Sequence, residues 1–149
     1  MACGTGRHAV FLAQHGWTVT AVDYSRVAID ILRQRVSSGR LNIDARVADL
    51  EKAEFVIPEN AYDLIVNCNY LQRDLFPQLK DGTRPGGTVI VIVPTVDDDP
   101  AVKPMNPAFL AQPEELRRTF AGWDLMHYRE GKPAAGRRAV AELIARKIR

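Results

Sequence analysis

The chain lacks the cysteine and histidine content, the long apolar runs and the strong net positive charge that are typical of disulfide-rich, metal-binding, membrane and nucleic-acid-binding proteins. Its 149 residues include two cysteines and three histidines, which are too few for a disulfide framework and lack the spacing of a zinc site. The longest apolar run, Val89 to Val93, is far short of the ~20 residues that cross a bilayer. A formal net charge of +2 is too weak to indicate nucleic-acid binding. We therefore expect no metal, no membrane partner and no nucleic-acid partner.

The composition is otherwise typical of a globular domain. Hydrophobic residues make up 46% of the chain and charged residues 26%, close to the averages for folded domains. A length of 149 residues suits one domain with one core, which we expect to span residues 1–149. No basic and apolar leader precedes the first motif, so a cytoplasmic location is expected.

The first seven residues contain a glycine-rich turn. Gly4 and Gly6 carry no Cβ and tolerate positive φ, so the backbone can approach a ligand closely. A helix predicted over Arg7 to His15 would direct its unpaired N–H groups at whatever lies in the turn. A strand predicted over Trp17 to Val22 leads to Asp23, whose carboxylate would accept hydrogen bonds from a ribose diol. Turn, helix, strand and acid together indicate a nucleoside-cofactor site.

Predicted helices and strands alternate along the remaining sequence. Ser25 suits the N-cap of a second helix. Its expected apolar stripe comprises Ala28, Ile31, Leu32 and Val36, and Ser37-Ser38-Gly39 would end it. Later strands are predicted over Leu41–Val47, Tyr62–Asn67, Thr88–Val93, Leu125–Arg129 and Ala139–Lys147, and later helices over Arg73–Leu79 and Pro113–Phe120. A proline-rich, irregular segment separates Pro94 from Pro113. This order predicts an α/β sheet that is mostly parallel.

Five motifs, in this order, resemble those of class I S-adenosylmethionine-dependent methyltransferases over essentially the whole chain. They are Met1–Arg7, Asp23, Ala48-Asp49-Leu50, Tyr62–Val66 and Arg84–Gly87. The closing Val140–Lys147 looks like the last strand of small bacterial tellurite-resistance methyltransferases. The resemblance implies a Rossmann-like sheet with a C-terminal antiparallel strand pair and a first strand that is largely missing. The glycine turn with Asp23 would also fit an NAD-binding domain, from which the order and spacing of all five motifs distinguish it.

The resemblance implies S-adenosyl-L-methionine as the cofactor. Four residues of the turn would lie at its methionine end: Cys3, Gly4, Thr5 and Gly6. Asp23 would bind the ribose. The Asp49 carboxylate would accept a hydrogen bond from the adenine amino group, and the N–H of Leu50 would meet the ring. Tyr24 would either pack on the adenine or form part of the surface.

The resemblance also places the cofactor's methionine end and a small-molecule acceptor beside the residues after the fourth strand. These are Asn67, Cys68, Asn69 and Tyr70. The side chains of Asn67 or Asn69 would supply amide hydrogen bonds there, or would serve as turn residues. In-line methyl displacement depends mainly on alignment of the acceptor, so no universal catalytic residue is expected. Phe109 and Met105 would line the acceptor pocket.

Several residues have a structural interpretation beside a functional one. Cys3 fits a small packing residue better than a nucleophile, since nothing near it in sequence would activate the thiol. His8 would face either solvent or the pocket. The acidic run at residues 97–99 would be a solvated loop or a cation site.

The strand that should precede the glycine turn is missing, and in this fold it lies between the second and fourth strands. Unpaired backbone groups on those neighbours would each cost about 1–3 kcal/mol if buried unmet. Three explanations stay open: Met1 is an internal residue of a longer chain, two copies form a homodimer that fills the slot, or the neighbouring strands pair directly. A non-catalytic relic of the fold is therefore the alternative to an enzyme.

Overall fold

The computed structural model describes residues 1–97, 99–134 and 137–148, in two compact units, Met1–Val56 and Ile57–Arg149. The first unit contains α1 (Arg7–Gln14), β1 (Val19–Asp23), α2 (Arg26–Gly39) and β2 (Ile43–Val47). The second contains β3 (Tyr62–Cys68), α3 (Leu75–Gly82), β4 (Thr83–Pro94), a 3-10 turn (Pro107–Phe109), α4 (Glu115–Thr119), β5 (Asp124–Gly131) and β6 (Val140–Arg146). The expectation of one domain over residues 1–149 stays a prediction.

The first unit is a parallel strand pair with helices packed on it. β1 and β2 are in register from Val19 opposite Ile43 to Asp23 opposite Val47. Its core is built from Ala9, Ala21, Ile29 and Leu32. Each of these side chains is almost fully removed from water, so burial of apolar surface holds the helices to the strands.

The buried face of α2 contains Ile29 in place of the predicted Ile31. Ile29 is fully buried, whereas Ile31 is 37% exposed. Leu32 and Ile29 lie three residues apart on the side of the helix that meets β1, and Ile31 is rotated away from it. Ser25 caps the helix as predicted, its Oγ accepting the N–H of Ala28 at 3.2 Å. The helix ends at Gly39, and the left-handed residue that follows is Arg40, with φ of 50°.

The second unit contains a four-stranded sheet in the order β3-β4-β6-β5. β3 and β4 are parallel, and β6 runs antiparallel to both β4 and β5. β4 and β6 bury alternate side chains, among them Val89, Val91 and Leu143, which is the two-residue period of a sheet with a covered face. The predicted α/β class and the C-terminal antiparallel pair are confirmed.

Some boundaries in the second unit differ from those predicted. β4 begins at Thr83 rather than at Thr88, because Thr83 already pairs with Tyr62 before the register shifts to Leu64 opposite Thr88. The predicted turn at residues 84–87 is an excursion within this strand. α3 runs over Leu75–Gly82, later than predicted, and α4 is short, ending at Thr119.

The edge of β1 opposite β2 carries a backbone hydrogen bond from the opening turn. The backbone N–H of Cys3 donates to the carbonyl of Val22 at 2.9 Å. Within the part of the chain that the structure describes, α1 is the first regular element. That the first strand is largely missing stays a prediction.

Within residues 1–97, 99–134 and 137–148, every helix is too short or too polar to cross a bilayer. The cytoplasmic location expected from the sequence stays a prediction.

Candidate functional site

The opening turn has a fixed backbone conformation that depends on its glycines. Gly4 and Gly6 have φ of 54° and 80°, values that are costly for residues with a Cβ. The N–H of Gly6 donates to the carbonyl of Cys3 at 3.0 Å, and the Gly6 carbonyl accepts from Val10 at 2.8 Å. Gly6 is thus the N-cap of α1, and the turn leads directly into the helix.

The two glycines of the turn are needed for different reasons. A Cβ built on Gly6 would lie 2.4 Å from Cδ1 of Leu32, a side chain with no solvent exposure. A Cβ built on Gly4 would have no atom within 4 Å. Gly6 therefore allows close packing of α1 against α2, whereas Gly4 borders open space that a ligand can enter.

Asp23 connects this turn with the end of β1. Its Oδ2 accepts the N–H of Gly4 at 2.7 Å, and its Oδ1 accepts the N–H of Ser25 at 2.9 Å. The side chain is nearly buried, with 7% exposure. Each carboxylate oxygen has a further lone pair, so Asp23 can still accept a hydroxyl. The structure brings the predicted turn and the predicted acid into direct contact.

The segment around Asp49 lies beside Asp23. The N–H of Ala48 donates to the backbone carbonyl of Asp23 at 3.0 Å. The Asp49 carboxylate accepts the N–H of Glu51 at 3.0 Å and pairs with the Lys52 ammonium at 3.2 Å. Hydrogen bonding from Lys52, followed by that from Glu51, lowers the pKa of Asp49. Asp49 is thus a carboxylate at neutral pH, next to the strand end that carries Asp23.

The other candidates in the first unit differ in exposure. Tyr24 is 77% exposed and Leu50 is 7% exposed. Thr5 is exposed, and its carbonyl accepts from the Arg35 guanidinium at 3.2 Å. All these candidates therefore belong to the first unit. Residues 23–24 and 49–50 lie at or just after the carboxyl ends of its two parallel strands, and residues 3–6 form the turn that is bonded to Asp23.

Cys3 has the properties of a packing residue. It packs against the core of the first unit, and burial raises the pKa of its thiol to about 11. Because of this raised pKa, little of the thiolate, which is the nucleophilic form, is present at neutral pH.

His8 lies next to a positive charge. Burial and the neighbouring Arg7 lower the pKa of His8, and its Nε2 lies 3.3 Å from the Arg7 guanidinium.

A second group of candidates lies after β3, in the second unit. Asn67 is 1% exposed, and its Nδ2 donates to the carbonyl of Tyr70 at 3.0 Å. Asn69 has a left-handed φ of 59°, and its N–H donates to Ile92 at 2.7 Å. Cys68 is half-buried. Asn67 and Asn69 therefore make turn contacts, which is one of the two roles that the sequence left open. These contacts leave the side-chain oxygen of Asn67 without a partner.

That oxygen is Oδ1 of Asn67. Among the described residues, it is the one buried side-chain N or O atom without a hydrogen-bond partner. A buried acceptor of this kind normally has a partner.

No sequence pattern indicates the role of Arg73. Its guanidinium contacts both carboxylate oxygens of Glu115, at 2.7 and 3.0 Å. It also donates to the carbonyls of Ala108 and Leu110, both at 3.1 Å. These partners lie 35 to 42 residues further along the chain, so local spacing does not reveal them. Arg73 thereby ties the loop after β3 to the end of the proline-rich segment.

The proline-rich segment exposes the two side chains proposed for the acceptor pocket. Met105 is 43% exposed and Phe109 is 50% exposed. In the acidic run, the Lys132 ammonium contacts Asp99 and lies 3.3 Å from Asp97, so one internal cation pairs with both carboxylates. Asp98 lies outside the described residues.

The chain is similar in sequence to proteins of one known family. A family model described as tellurite resistance protein TehB matches residues 1–137. A probable S-adenosyl-L-methionine-dependent methyltransferase TehB from Haemophilus influenzae is 30% identical over 138 residues, 87% of this chain and 46% of that protein. A protein named hemagglutinin 1 from Eikenella corrodens is 31% identical over 138 residues, 87% of this chain and 44% of its own length.

A solved structure shows the same architecture. The crystal structure of TehB from Haemophilus influenzae superimposes with a TM-score of 0.81 at 27% identity, covering 98% of this chain and 55% of that one. This chain thus spans about half the length of the relatives it matches.

Proposed function

Because this chain belongs to the tellurite resistance protein TehB family, we propose that it binds S-adenosyl-L-methionine and transfers its methyl group to a small-molecule acceptor. The observation that carries the proposal is the 2.7 Å hydrogen bond from the Gly4 N–H to the Asp23 carboxylate. It joins the turn proposed for the methionine end to the acid proposed for the ribose. Residues 19 positions apart in sequence are therefore in direct contact.

The residues present fit this cofactor. The open space beside Gly4 leaves room for a ligand against the backbone of Cys3, Gly4, Thr5 and Gly6. Asp23 retains lone pairs for a ribose hydroxyl. Asp49 and Leu50 would lie at the adenine, Asp49 as an acceptor for its amino group. Tyr24, with its exposed ring, would cover the adenine and lose exposure when the cofactor binds.

The proposed chemistry makes modest demands on the protein. The cofactor supplies an activated methyl group that leaves a sulfonium by in-line displacement. The chain has to align an acceptor with that methyl and exclude water, and such positioning accounts for much of the rate in reactions of this kind. We propose that Asn67 and Asn69 contribute hydrogen bonds to the methionine end or the acceptor. No residue is proposed as a general base.

Binding of S-adenosylhomocysteine tests the proposal directly. Isothermal titration of the 149-residue chain is expected to show micromolar affinity for S-adenosylhomocysteine and no binding of NAD⁺. Undetectable binding of S-adenosylhomocysteine would favour the alternative, a non-catalytic module that retains the fold. That alternative is kept because the chain spans 46% of its methyltransferase relative. Tight binding of NAD⁺ alone would favour a dinucleotide-binding domain.

The acceptor can be sought once cofactor binding is established. The family description names tellurite resistance, so tellurite is the first acceptor to assay, by its stimulation of S-adenosylhomocysteine release. Small thiols, amines and hydroxylated compounds form the comparison set. Release that no acceptor stimulates, from a chain that binds the cofactor, would contradict the proposed transfer.

A further inference from the structure

The segment that follows β2 closes on itself as a short loop, residues 49–54, which we call the Asp49 loop. Two hydrogen bonds join its ends. The Glu54 carboxylate accepts the N–H of Asp49 at 2.9 Å, and the N–H of Glu54 donates to the carbonyl of Asp49 at 3.0 Å. Ala48 before the loop and Phe55 after it are both buried. Glu54 therefore closes the Asp49 loop with its side chain as well as with its backbone.

The Asp49 loop contains a residue in an unfavourable backbone conformation. Ala53 has a left-handed φ of 54°, which is costly for a residue with a Cβ. Its N–H donates to the carbonyl of Leu50 at 3.2 Å. Backbone strain of this kind persists where the surrounding contacts fix the chain, and it is most frequent at functional sites. The paired hydrogen bonds between Asp49 and Glu54 are contacts that fix the chain here.

The carboxylate of Asp49 has a defined position within this loop. Its Oδ1 accepts the N–H of Glu51 at 3.0 Å, and its Oδ2 lies 3.2 Å from the Lys52 ammonium. The side chain is 28% exposed, and each oxygen has a further lone pair, so a ligand can still donate to it. Because the Oδ1 bond closes a turn of three residues, the direction of the carboxylate depends on the backbone at Asp49, which is tied to Glu54.

We infer that Glu54 is a positioning residue, which holds the N–H of Asp49 and thereby directs the Asp49 carboxylate at the exocyclic amino group of a bound purine. The inference rests on the proposed function, in which Asp49 accepts a hydrogen bond from adenine. It concerns residues of the first unit alone, and Glu54 acts through Asp49 rather than on the ligand. A site built to accept an N–H discriminates against an analogue that lacks that donor. Glu54 should therefore set the selectivity for the base.

Two ligands that differ at one position of the base test the inference. S-adenosylhomocysteine carries an exocyclic amino group, and S-inosylhomocysteine carries a carbonyl oxygen at the same position. The affinities of both ligands are measured by isothermal titration for the wild type and for each variant. The ratio of the two affinities is the quantity to compare, because a general loss of stability weakens both ligands alike.

Three substitutions separate the reach of the Glu54 side chain from its charge. Glu54→Ala removes the acceptor, and Glu54→Asp keeps the charge on a side chain that is one methylene shorter. Glu54→Gln keeps an acceptor oxygen at the same distance from the backbone and removes the charge. Glu51→Ala is the matched control, since it removes an acidic side chain from the same loop and keeps the backbone N–H that Asp49 accepts. If Glu54→Ala fails to fold, the Asp and Gln variants carry the comparison.

Glu54→Ala and Glu54→Asp should each lower the preference for S-adenosylhomocysteine over S-inosylhomocysteine about 5- to 10-fold, because Asp49 is then no longer held. Glu54→Gln and Glu51→Ala should keep the wild-type preference. This pattern assigns the selectivity to a hydrogen bond of defined length rather than to the negative charge of the loop.

An unchanged preference in Glu54→Ala or Glu54→Asp would overturn the inference. A loss of preference in Glu54→Gln or Glu51→Ala would also overturn it, since charge and not the hydrogen bond would then be the cause. The same holds for a wild type that binds both ligands equally well. In these cases binding of S-adenosylhomocysteine by the wild type leaves the proposed function standing, whereas a wild type that binds neither ligand overturns the proposed function and the inference with it.

Discussion

At the scale of single residues, the two glycines of the opening turn separate folding from ligand binding. Gly6 is held against Leu32, inside the core of the first unit. Gly4 takes a positive φ beside open space, and its N–H is bonded to Asp23. Substitution of either glycine by alanine therefore tests a different property.

Gly6→Ala should destabilise the chain without a direct effect on a bound ligand. The left-handed φ and the overlap with Leu32 together should cost about 2–4 kcal/mol in the free energy of unfolding. Gly4→Ala should cost about 1–2 kcal/mol but should abolish detectable S-adenosylhomocysteine binding, because its Cβ enters the proposed cofactor space. Urea unfolding and isothermal titration of both variants provide the comparison. Unchanged affinity in Gly4→Ala would remove that residue from the site.

Asp23→Ala should weaken S-adenosylhomocysteine about 10- to 100-fold, because a buried carboxylate forms strong hydrogen bonds with hydroxyl groups. Asp23 also accepts two backbone N–H groups, so some loss of stability is expected as well. Ser25→Ala is the matched control, since it removes the adjacent helix cap at about 1 kcal/mol and leaves the carboxylate in place. Similar affinity losses in both variants would assign the effect to local stability rather than to ribose binding.

At the scale of elements, Arg73 and Glu115 hold the loop after β3 against the start of α4. The Glu115 side chain is 14% exposed and also accepts the N–H of Gln112 at 2.7 Å. Burial alone would raise the pKa of Glu115, but the hydrogen bonds from Arg73 and Gln112 outweigh it and lower the pKa. The ionised form is therefore the one that the fold stabilises.

Glu115→Gln should lower the free energy of unfolding by about 1–2 kcal/mol at pH 7. A carboxylate with a lowered pKa in the folded state contributes stability above its unfolded pKa, and that contribution is lost as pH falls through the folded value. The difference between wild type and variant should thus be full above the usual value of 4.5 and should shrink below it. Urea unfolding across pH 3 to 7 measures it. A difference that does not change with pH would exclude the ion pair as its source.

At the scale of the whole molecule, the bound cofactor should change hydrogen exchange in defined segments. We expect S-adenosylhomocysteine to slow exchange of backbone amides in the Gly4–Gly6 turn and in the segment from Ala48 to Leu50. β5 provides an internal reference for the exchange time course. Protection confined to other segments would indicate that the ligand binds elsewhere.

The edge of β1 bears on the oligomeric state. Among the described residues, β1 pairs with β2 along one edge, and on the other edge the Cys3 N–H donates to Val22. Strand edges of this kind favour pairing with another strand. If a second copy fills this position, which is one of the three explanations that the sequence left open, sedimentation should give twice the 16.6 kDa of one chain. A single-chain mass at every concentration would contradict the homodimer.

Much of this protein follows from local sequence. The glycines of the turn, the cap at Ser25 and the alternation of helices and strands are local patterns, because backbone conformation and side-chain periodicity act over a few residues. The order of motifs was enough to indicate the methyltransferase family, which the comparison confirmed. Element boundaries were less well determined, as in β4, because pairing with Tyr62 sets where that strand begins.

Contacts between distant residues were decided only by the tertiary structure. It selected Ile29 over Ile31 as the buried side chain of α2, since the direction of β1 sets which face is covered. It joined Gly4 to Asp23, aimed the Arg73 guanidinium at residues 108 to 115, and left the Asn67 oxygen without a partner. The sequence determined which chemical groups the chain carries and the local elements that bear them. Which of those groups meet depends on packing between segments far apart in sequence, and no local periodicity encodes that.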